Sequence, residues 1–338
     1  MKKVLSVILS LTMVLSLAAC GAKEQKPAGT PTEGRTYELT MASKDATGSV
    51  IGLVGEKIVE LADKYSDGRI KINYHQDATL GSELENIQQL KTGEIDICHF
   101  GDNFGSQIAT GIDPTVIPFI FKDIDDVKAV YDDPVLGAAI KDAAKSTANC
   151  YLIGLQERTP RLLTASKEIK IPADLNGVKV RVPEIPDWVT VWNSLGALCT
   201  VVSWSETYSA LQTGVVDAQE NPIDNIFTNK IFEVNKYIMN TEHLYGLNHW
   251  CINADTYDNM DPADQEILQR AFDEADAWGD AELESLADGY WKEVLADGSV
   301  TVVDVDKDAW SAAAQEGINT AIAGYSKEAQ DYIANYLG

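Results

Sequence analysis

The chain has 338 residues, with 52 acidic against 27 basic side chains, a formal net charge of −25 at pH 7 and 45% hydrophobic residues. That acidic excess repels phosphate backbones and anionic lipid surfaces, which argues against a nucleic-acid partner and makes any cation near a cleft informative. The hydrophobic share is that of a globular protein, and some 300 residues suffice for two lobes.

Lys2 and Lys3 precede an apolar run over residues 4–17, the arrangement of a secretory signal. The run is shorter than the about 20 apolar residues that a membrane-spanning helix needs. It ends in Leu17-Ala18-Ala19-Cys20, small residues before a cysteine, and this resembles the lipobox of bacterial lipoproteins. The resemblance implies removal of residues 1–19 and a lipid on the Cys20 thiol, which anchors the protein to the outer face of the cell membrane. An ordinary secreted protein with an incidental cysteine is the alternative. Loss of Lys2 and Lys3 takes the net charge to −27. Residues 20–35 hold almost no large apolar side chain but several Gly, Pro and Thr, so they read as a flexible tether.

Beyond the tether, YELTMA reads as a strand, the stretch from about Val50 to Tyr65 as a helix, and IKINYH as a strand. A helix after Ser82 then feeds strand-like IDICHF. YLIGLQ (151–156) leads toward RLLTAS (161–166). A second run follows: VKVRV, a helix over about 187–195, CTVVS, a helix after Ser203, and VVDAQ. HLYGLNHWCIN (243–253) leads back toward the first run. Asp261-Pro262, an N-cap followed by proline, opens a long helix to about residue 295, with Ile267, Leu268, Ala271, Phe272, Ala275 and Trp278 at helical spacing. At about 1.5 Å per residue it is long enough to reach across two lobes. TVVDV (301–305) adds a strand, and a last helix closes the chain.

SELENIQQLKTGEIDI, from Ser82, and SWSETYSALQTGVVDA, from Ser203, carry one pattern. Both contain Leu-x-Thr-Gly-x-x-Asp, at Leu90 to Asp96 and Leu211 to Asp217, with Glu85 or Glu206 five residues before the leucine. The pattern reads as a helix stopped by a left-handed glycine, Gly93 or Gly214, that feeds a strand. Any α/β domain repeats helix, Gly and strand. Here, however, each copy sits in its own run of strands and helices, which points to two similar lobes with a ligand site between them.

Four pieces within residues 172–243 stand in fixed order: PADLNGVKVRVPE, LGA at 195–197, SWSETYSALQTGVVDAQENP and KIFEVNKYIMNTEH. In order and spacing they resemble the substrate-binding subunit of tripartite ATP-independent periplasmic (TRAP) transporters, the dicarboxylate-binding-protein (DctP) family. Weaker agreement extends over most of the chain from about Tyr37, through LGSELENIQQLKTGEIDI and TVIPFIF. Ala218 and Cys199 depart from the family's usual glycine and proline. The resemblance implies an α/β, bilobal, periplasmic-binding-protein-like fold: two α/β lobes with central mixed sheets, hinge strands and one long lobe-spanning helix. Lobe I is expected over 36–157 and 248–286, and lobe II over 158–247 and 287–338. It further implies an extracytoplasmic binder of a small organic acid, partnered by the membrane permease of an ion-driven transporter.

In the family an arginine of the K-x-R-x-P element clamps the ligand carboxylate, which here is Arg181. A planar guanidinium donates two parallel hydrogen bonds and stays charged when desolvated; a surface salt bridge is its alternative role. The second family arginine matches Arg161, with Arg158 as the competing candidate. The asparagine of Q-E-N-P matches Asn221, which is otherwise a helix cap. An aromatic ring that lines the pocket in sialic-acid-binding relatives matches Trp204, otherwise core. Glu83 and Asp102 are candidates for binding ligand hydroxyls. Trp188, Trp192 and Trp250 flank the expected cleft and favour a sugar acid, a uronate or aldonate, over a simple dicarboxylate, unless they are packing residues.

An exported hydrolase is the competing class. The histidines at 75, 99, 243 and 249 sit in no Ser/His/Asp or HExxH setting, and no G-x-S-x-G occurs. DVDKD (304–308) lacks the glycine of a calcium loop, and no Cys/His cluster or phosphate-binding G-x-x-x-x-G-K-[ST] appears, so neither metal nor cofactor is expected. Cys98, Cys150, Cys199 and Cys251 read as free thiols, with disulfide pairing left open.

Overall fold

The computed structural model describes residues 34–296 and 298–337; the expected signal peptide, the expected lipidation site Cys20 and the expected tether up to residue 33 lie outside the described residues. One sheet contains β1 (Tyr37–Ala42), β2 (Ile70–His75), β3 (Ile97–Phe100), β4 (Cys150–Glu157) and β10 (Leu247–Asn253), in the order β2-β1-β3-β10-β4. The other contains β5 (Leu162–Ala165), β6 (Lys179–Val182), β7 (Leu198–Val201), β8 (Ala218–Asn221), β9 (Tyr237–Met239) and β11 (Thr301–Val303), in the order β7-β6-β8-β5-β9-β11. The helices are α1 (Val50–Tyr65), α2 (Glu83–Thr92), α3 (Ile124–Asp132), α4 (Leu136–Ala148), α5 (Pro186–Ser194), α6 (Trp204–Gln212), α7 (Ile223–Thr228), α8 (Ile231–Val234), α9 (Ala254–Asp258), α10 (Pro262–Val294), α11 (Lys307–Ile322) and α12 (Lys327–Leu337). Among the described residues no helix is long and apolar enough to cross a membrane.

The two sheets share one topology. In each, three parallel strands (β2-β1-β3, β7-β6-β8) are followed by two successive antiparallel pairings (β10 and β4, β5 and β9). The sequence echo is the visible part of this repeat. Gly93 (φ 74°) and Gly214 (φ 72°) both take the left-handed conformation that ends α2 and α6. The aspartate three residues on makes the same two bonds in each lobe. Asp96 donates its N–H to Thr40 O (3.0 Å) and accepts from Thr40 N (2.8 Å) on β1; Asp217 does so with Lys179 (2.8 and 3.1 Å) on β6. Each aspartate thus fixes where its strand enters the sheet.

The sequence pattern misplaced one strand. VVDAQ was expected to be extended, yet β8 is Ala218-Gln219-Glu220-Asn221, fully buried. Hydrophobic patterning cannot find it, because its polar side chains are buried against Thr164, Arg161 and His243 rather than exposed. The region between β3 and β4, where no element was read, holds a π-helical turn at Phe104–Ile108 followed by α3 and α4. Two helices close the chain instead of one, since Ser326 interrupts them by donating its N–H to Gly111 O (2.7 Å).

α10 packs on α1 and β4 of the first lobe and on α7 of the second. Its contact with α1 depends on Gly279, where a Cβ would lie 2.5 Å from Val54 Cγ2; at Gly289 of the same helix nothing lies within 4 Å. Gly279→Ala should therefore destabilise by about 1–3 kcal/mol, whereas Gly289→Ala should stabilise by about 0.5–1 kcal/mol through helix propensity. Urea denaturation of the pair reads the opposite signs.

Candidate functional site

The chain crosses between the sheets three times, after β4, after β9 and through α10 to β11, and the first two crossings run side by side: Arg158 N donates to Gly246 O (3.1 Å) and Arg161 N to Leu244 O (2.9 Å). Beside them is a cavity of about 260 Å³, near the lower end of the ~300–1,000 Å³ usual for small-ligand sites. Its walls come from the segments that follow the parallel strands: Lys44 and Asp45 after β1, Asp102 after β3, Val202 to Ser205 after β7, Asn225 after β8. In open α/β sheets ligands collect at these carboxyl ends. Arg181, Arg161, Asn221, Trp204, Glu83 and Asp102 all line this one cavity.

Arg181 stands on β6, 3% exposed. Its Nε donates to Val202 O (2.9 Å) and its guanidinium lies 5.5 Å from the Trp204 ring centroid. Among the described residues no carboxylate pairs with it, and its two terminal amino groups have no protein partner. Burial pushes its pKa down to about 10, with Arg161 adding to the effect and Glu220 opposing it. The group is still charged at neutral pH.

Arg161 is held differently. Its Nε and Nη2 straddle the Glu220 carboxylate (2.5 and 3.0 Å), Nη2 also reaches Asn221 Oδ1 (2.9 Å), and Nη1 reaches Asp102 Oδ2 (3.1 Å). Burial works against its charge, but Glu220 and Asp102 outweigh burial and raise its pKa. Glu220 also faces His243 Nε2 at 3.0 Å. Its carboxyl is lowered although burial alone would raise it, because Arg161 and His243 more than compensate. Arg158 joins the network through Asp102 Oδ2 (3.0 Å) and Asn225 Oδ1 (3.2 Å).

The opposite wall, on the first lobe, is built on Lys44. Its ammonium lies 3.0 Å from Asp45 and 3.4 Å from Glu83. Glu83 opens α2 and also accepts from Gly101 N (2.7 Å) and Asn103 Nδ2 (2.9 Å). Asp45 accepts from Asn225 Nδ2 of α7 (3.0 Å), a bond that joins the two lobes across the cavity.

The sequence profile of the bacterial extracellular solute-binding protein family 7 (DctP) matches residues 41–323. The chain belongs to this family. It is 31% identical over 287 residues to a solute-binding protein of Roseobacter denitrificans, covering 83% of this chain and 85% of that one. A crystal structure of a TRAP periplasmic solute-binding protein from the same organism, with bound L-galactonate, superposes with a TM-score of 0.82 at 27% identity, over 90% of this chain and 100% of that one. One from Sulfitobacter sp. with bound β-D-galacturonate gives 0.82 at 26% identity, over 88% and 98%. The 2,3-diketo-L-gulonate-binding periplasmic protein of Escherichia coli is 28% identical over 263 residues, 77% of this chain and 79% of that one. As a TRAP solute-binding protein of the DctP family the chain works outside the cytoplasm, binds a small organic acid for a membrane permease, and is not an enzyme.

Within this DctP protein the cavity gathers residues that sequence reasoning passed over, chiefly Lys44, Asp45 and Asn225. For Lys44 a signal existed: a lone cation just after the first strand of a very acidic chain. Glu220, which orients Arg161, lay inside the quoted QENP piece but was not singled out. Asn221 does not cap α7, whose N-cap is Pro222. Of the three tryptophans expected at the cleft only Trp188 lines it; Trp192 and Trp250 are core residues, packed on Trp310 and Phe272 respectively. Cys98, Cys150 and Cys251 are buried, Cys199 is half-buried, and all four are free.

A buried hydrogen-bond chain stands close to Asp102. Tyr131 Oη lies 2.7 Å from Asp113 Oδ2 and 2.6 Å from His249 Nε2, while His249 Nδ1 faces Phe100 O at 3.3 Å. Tyr131 Oη donates to Asp113 Oδ2, which ties the phenol and the imidazole beside it to a buried carboxyl. Burial raises the Asp113 carboxyl and pushes His249 down to about 3. A depressed histidine contributes stability that is complete above the unfolded value of 6.5 and is lost as pH falls toward about 3. The melting temperature should therefore fall over that window, and fall less in His249→Gln; equal slopes by calorimetry would contradict the assignment.

Proposed function

We propose that the protein captures a sugar acid, a uronate or an aldonate, by clamping its carboxylate with Arg181, and hands it to the TRAP permease. The observation that carries this reading is a buried guanidinium on the cavity wall whose two terminal amino groups have no partner among the described residues. Two relatives bind L-galactonate and β-D-galacturonate and a third is a 2,3-diketo-L-gulonate-binding protein, which supports a polyhydroxylated acid. Arg161, held by Glu220, buttresses the clamp and presents its remaining N–H to the same anion. Trp204 stacks on Arg181 and offers an apolar face to the sugar carbons. Lobe I (36–157 and 248–286) and lobe II (158–247 and 287–338) close as hinged bodies about the paired crossings, driven by the ligand's greater affinity for the closed form.

Replacing Arg181 by alanine should cost about 2–5 kcal/mol of binding free energy, the usual loss on removing one partner of a buried charge pair. Isothermal titration with D-galacturonate and L-galactonate measures it, and undiminished affinity would sink the clamp. The N-terminal reading belongs to the same proposal: the signal is cleaved before Cys20 and the lipidated thiol holds the binder near its permease. Cys20→Ser should release the protein into the medium, and the mature wild-type chain should carry acyl mass on Cys20 by mass spectrometry.

A further inference from the structure

Four cations line the cavity: Lys44, Arg158, Arg161 and Arg181. Three of them are already engaged. Lys44 lies between Asp45 and Glu83; Arg158 is paired with Asp102; Arg161 is paired with both Asp102 and Glu220. Only Arg181 stands without a carboxylate among the described residues. The charges are also separated in space by strand: Arg181 belongs to β6 of one lobe, whereas Lys44, Asp45 and Glu83 belong to segments of the other. A ligand whose acid group sits on Arg181 therefore points its far end at a wall where two carboxylates surround one ammonium.

We infer that the cavity admits one carboxylate and selects against a second, so that the lobe I cluster Lys44–Asp45–Glu83 makes this protein a binder of polyhydroxy monoacids that rejects the corresponding diacids. This rests on the clamp proposed above and specifies what lies at its other end. A hydroxyl at that end can donate to Asp45 or Glu83 and accept from the remaining N–H of Lys44. A carboxylate can only accept. It would compete with Asp45 and Glu83 for one ammonium while two like charges press on it, and like-charge juxtaposition is how interfaces exclude wrong partners. Asn103 holds the cluster in place: its Nδ2 donates to Glu83 (2.9 Å).

The test compares acids that share a carbon skeleton and differ in terminal oxidation: L-galactonate and D-galacturonate against galactarate, each titrated calorimetrically into the wild-type protein. Galactarate should bind about 100-fold more weakly than the better monoacid. Galactarate within tenfold of that monoacid would overturn the inference while leaving the clamp intact. If no acid binds, or if Arg181→Ala leaves binding unchanged, the clamp itself fails and the inference falls with it. Glu83→Gln, checked for folding by its thermal transition, removes one of the opposing charges beside Lys44. It should narrow the monoacid-to-diacid ratio about tenfold; an unchanged ratio in the folded variant would remove the cluster from specificity.

Discussion

A buried guanidinium, Arg181, with no counter-ion among the described residues is the constraint around which this site is built. Removing a charge from water costs several kcal/mol after relaxation, and the usual remedy is a partner carboxylate in contact. Arg181 has instead a carbonyl oxygen at Nε, the face of Trp204, and the field of Glu220 one strand away. Those interactions keep the group charged without consuming its terminal donors. Desolvation that would be a liability in a monomer with no ligand becomes binding energy when an anion takes the remaining contacts, because charge-assisted, bidentate hydrogen bonds are strongest where water is excluded.

The surrounding ion pairs serve that one group. Glu220 is fully buried, yet it stays ionised because Arg161 and His243 hold it from two sides, and it lends Arg181 an attractive field without touching it. Asp102 draws Arg158 and Arg161 together at the chain crossings, so the geometry of these two cations is tied to that of the crossings. Asn225 bonds Asp45 on one lobe and Arg158 at the crossing. On the proposed reading, closure of the lobes and completion of the ligand's polar shell are one event, not two.

The twofold repeat explains why the site can be built at all. Each lobe presents the carboxyl ends of three parallel strands to the gap, and the same left-handed glycine and strand-pinning aspartate set the third strand of each. What differs is the chemistry placed on equivalent positions. β3 is Ile-Cys-His-Phe, whose one polar side chain, His99, lies 3.1 Å from Asp45 and 2.8 Å from Asn248, whereas its counterpart β8 is Ala-Gln-Glu-Asn and carries the larger buried polar network. On the proposed reading one lobe supplies the anion clamp and the other the hydroxyl-reading wall.

The sequence by itself determined the family, the repeat and the long helix, since each rests on local signals: motif spacing, a glycine stop, helical periodicity. It also named Arg181, Arg161, Asn221, Trp204, Glu83 and Asp102, which converge on one cavity although they lie as far as 138 positions apart along the chain. Only the tertiary structure decided which arginine is unpaired, because three guanidinium groups look alike in a string and differ solely in the carboxylates that folding brings to them. It likewise turned Lys44, Asp45 and Asn225 into wall residues, sent Trp192 and Trp250 into the core, and revealed a strand with no hydrophobic pattern. Burial and pairing are properties of contacts between distant segments, and no local pattern encodes them.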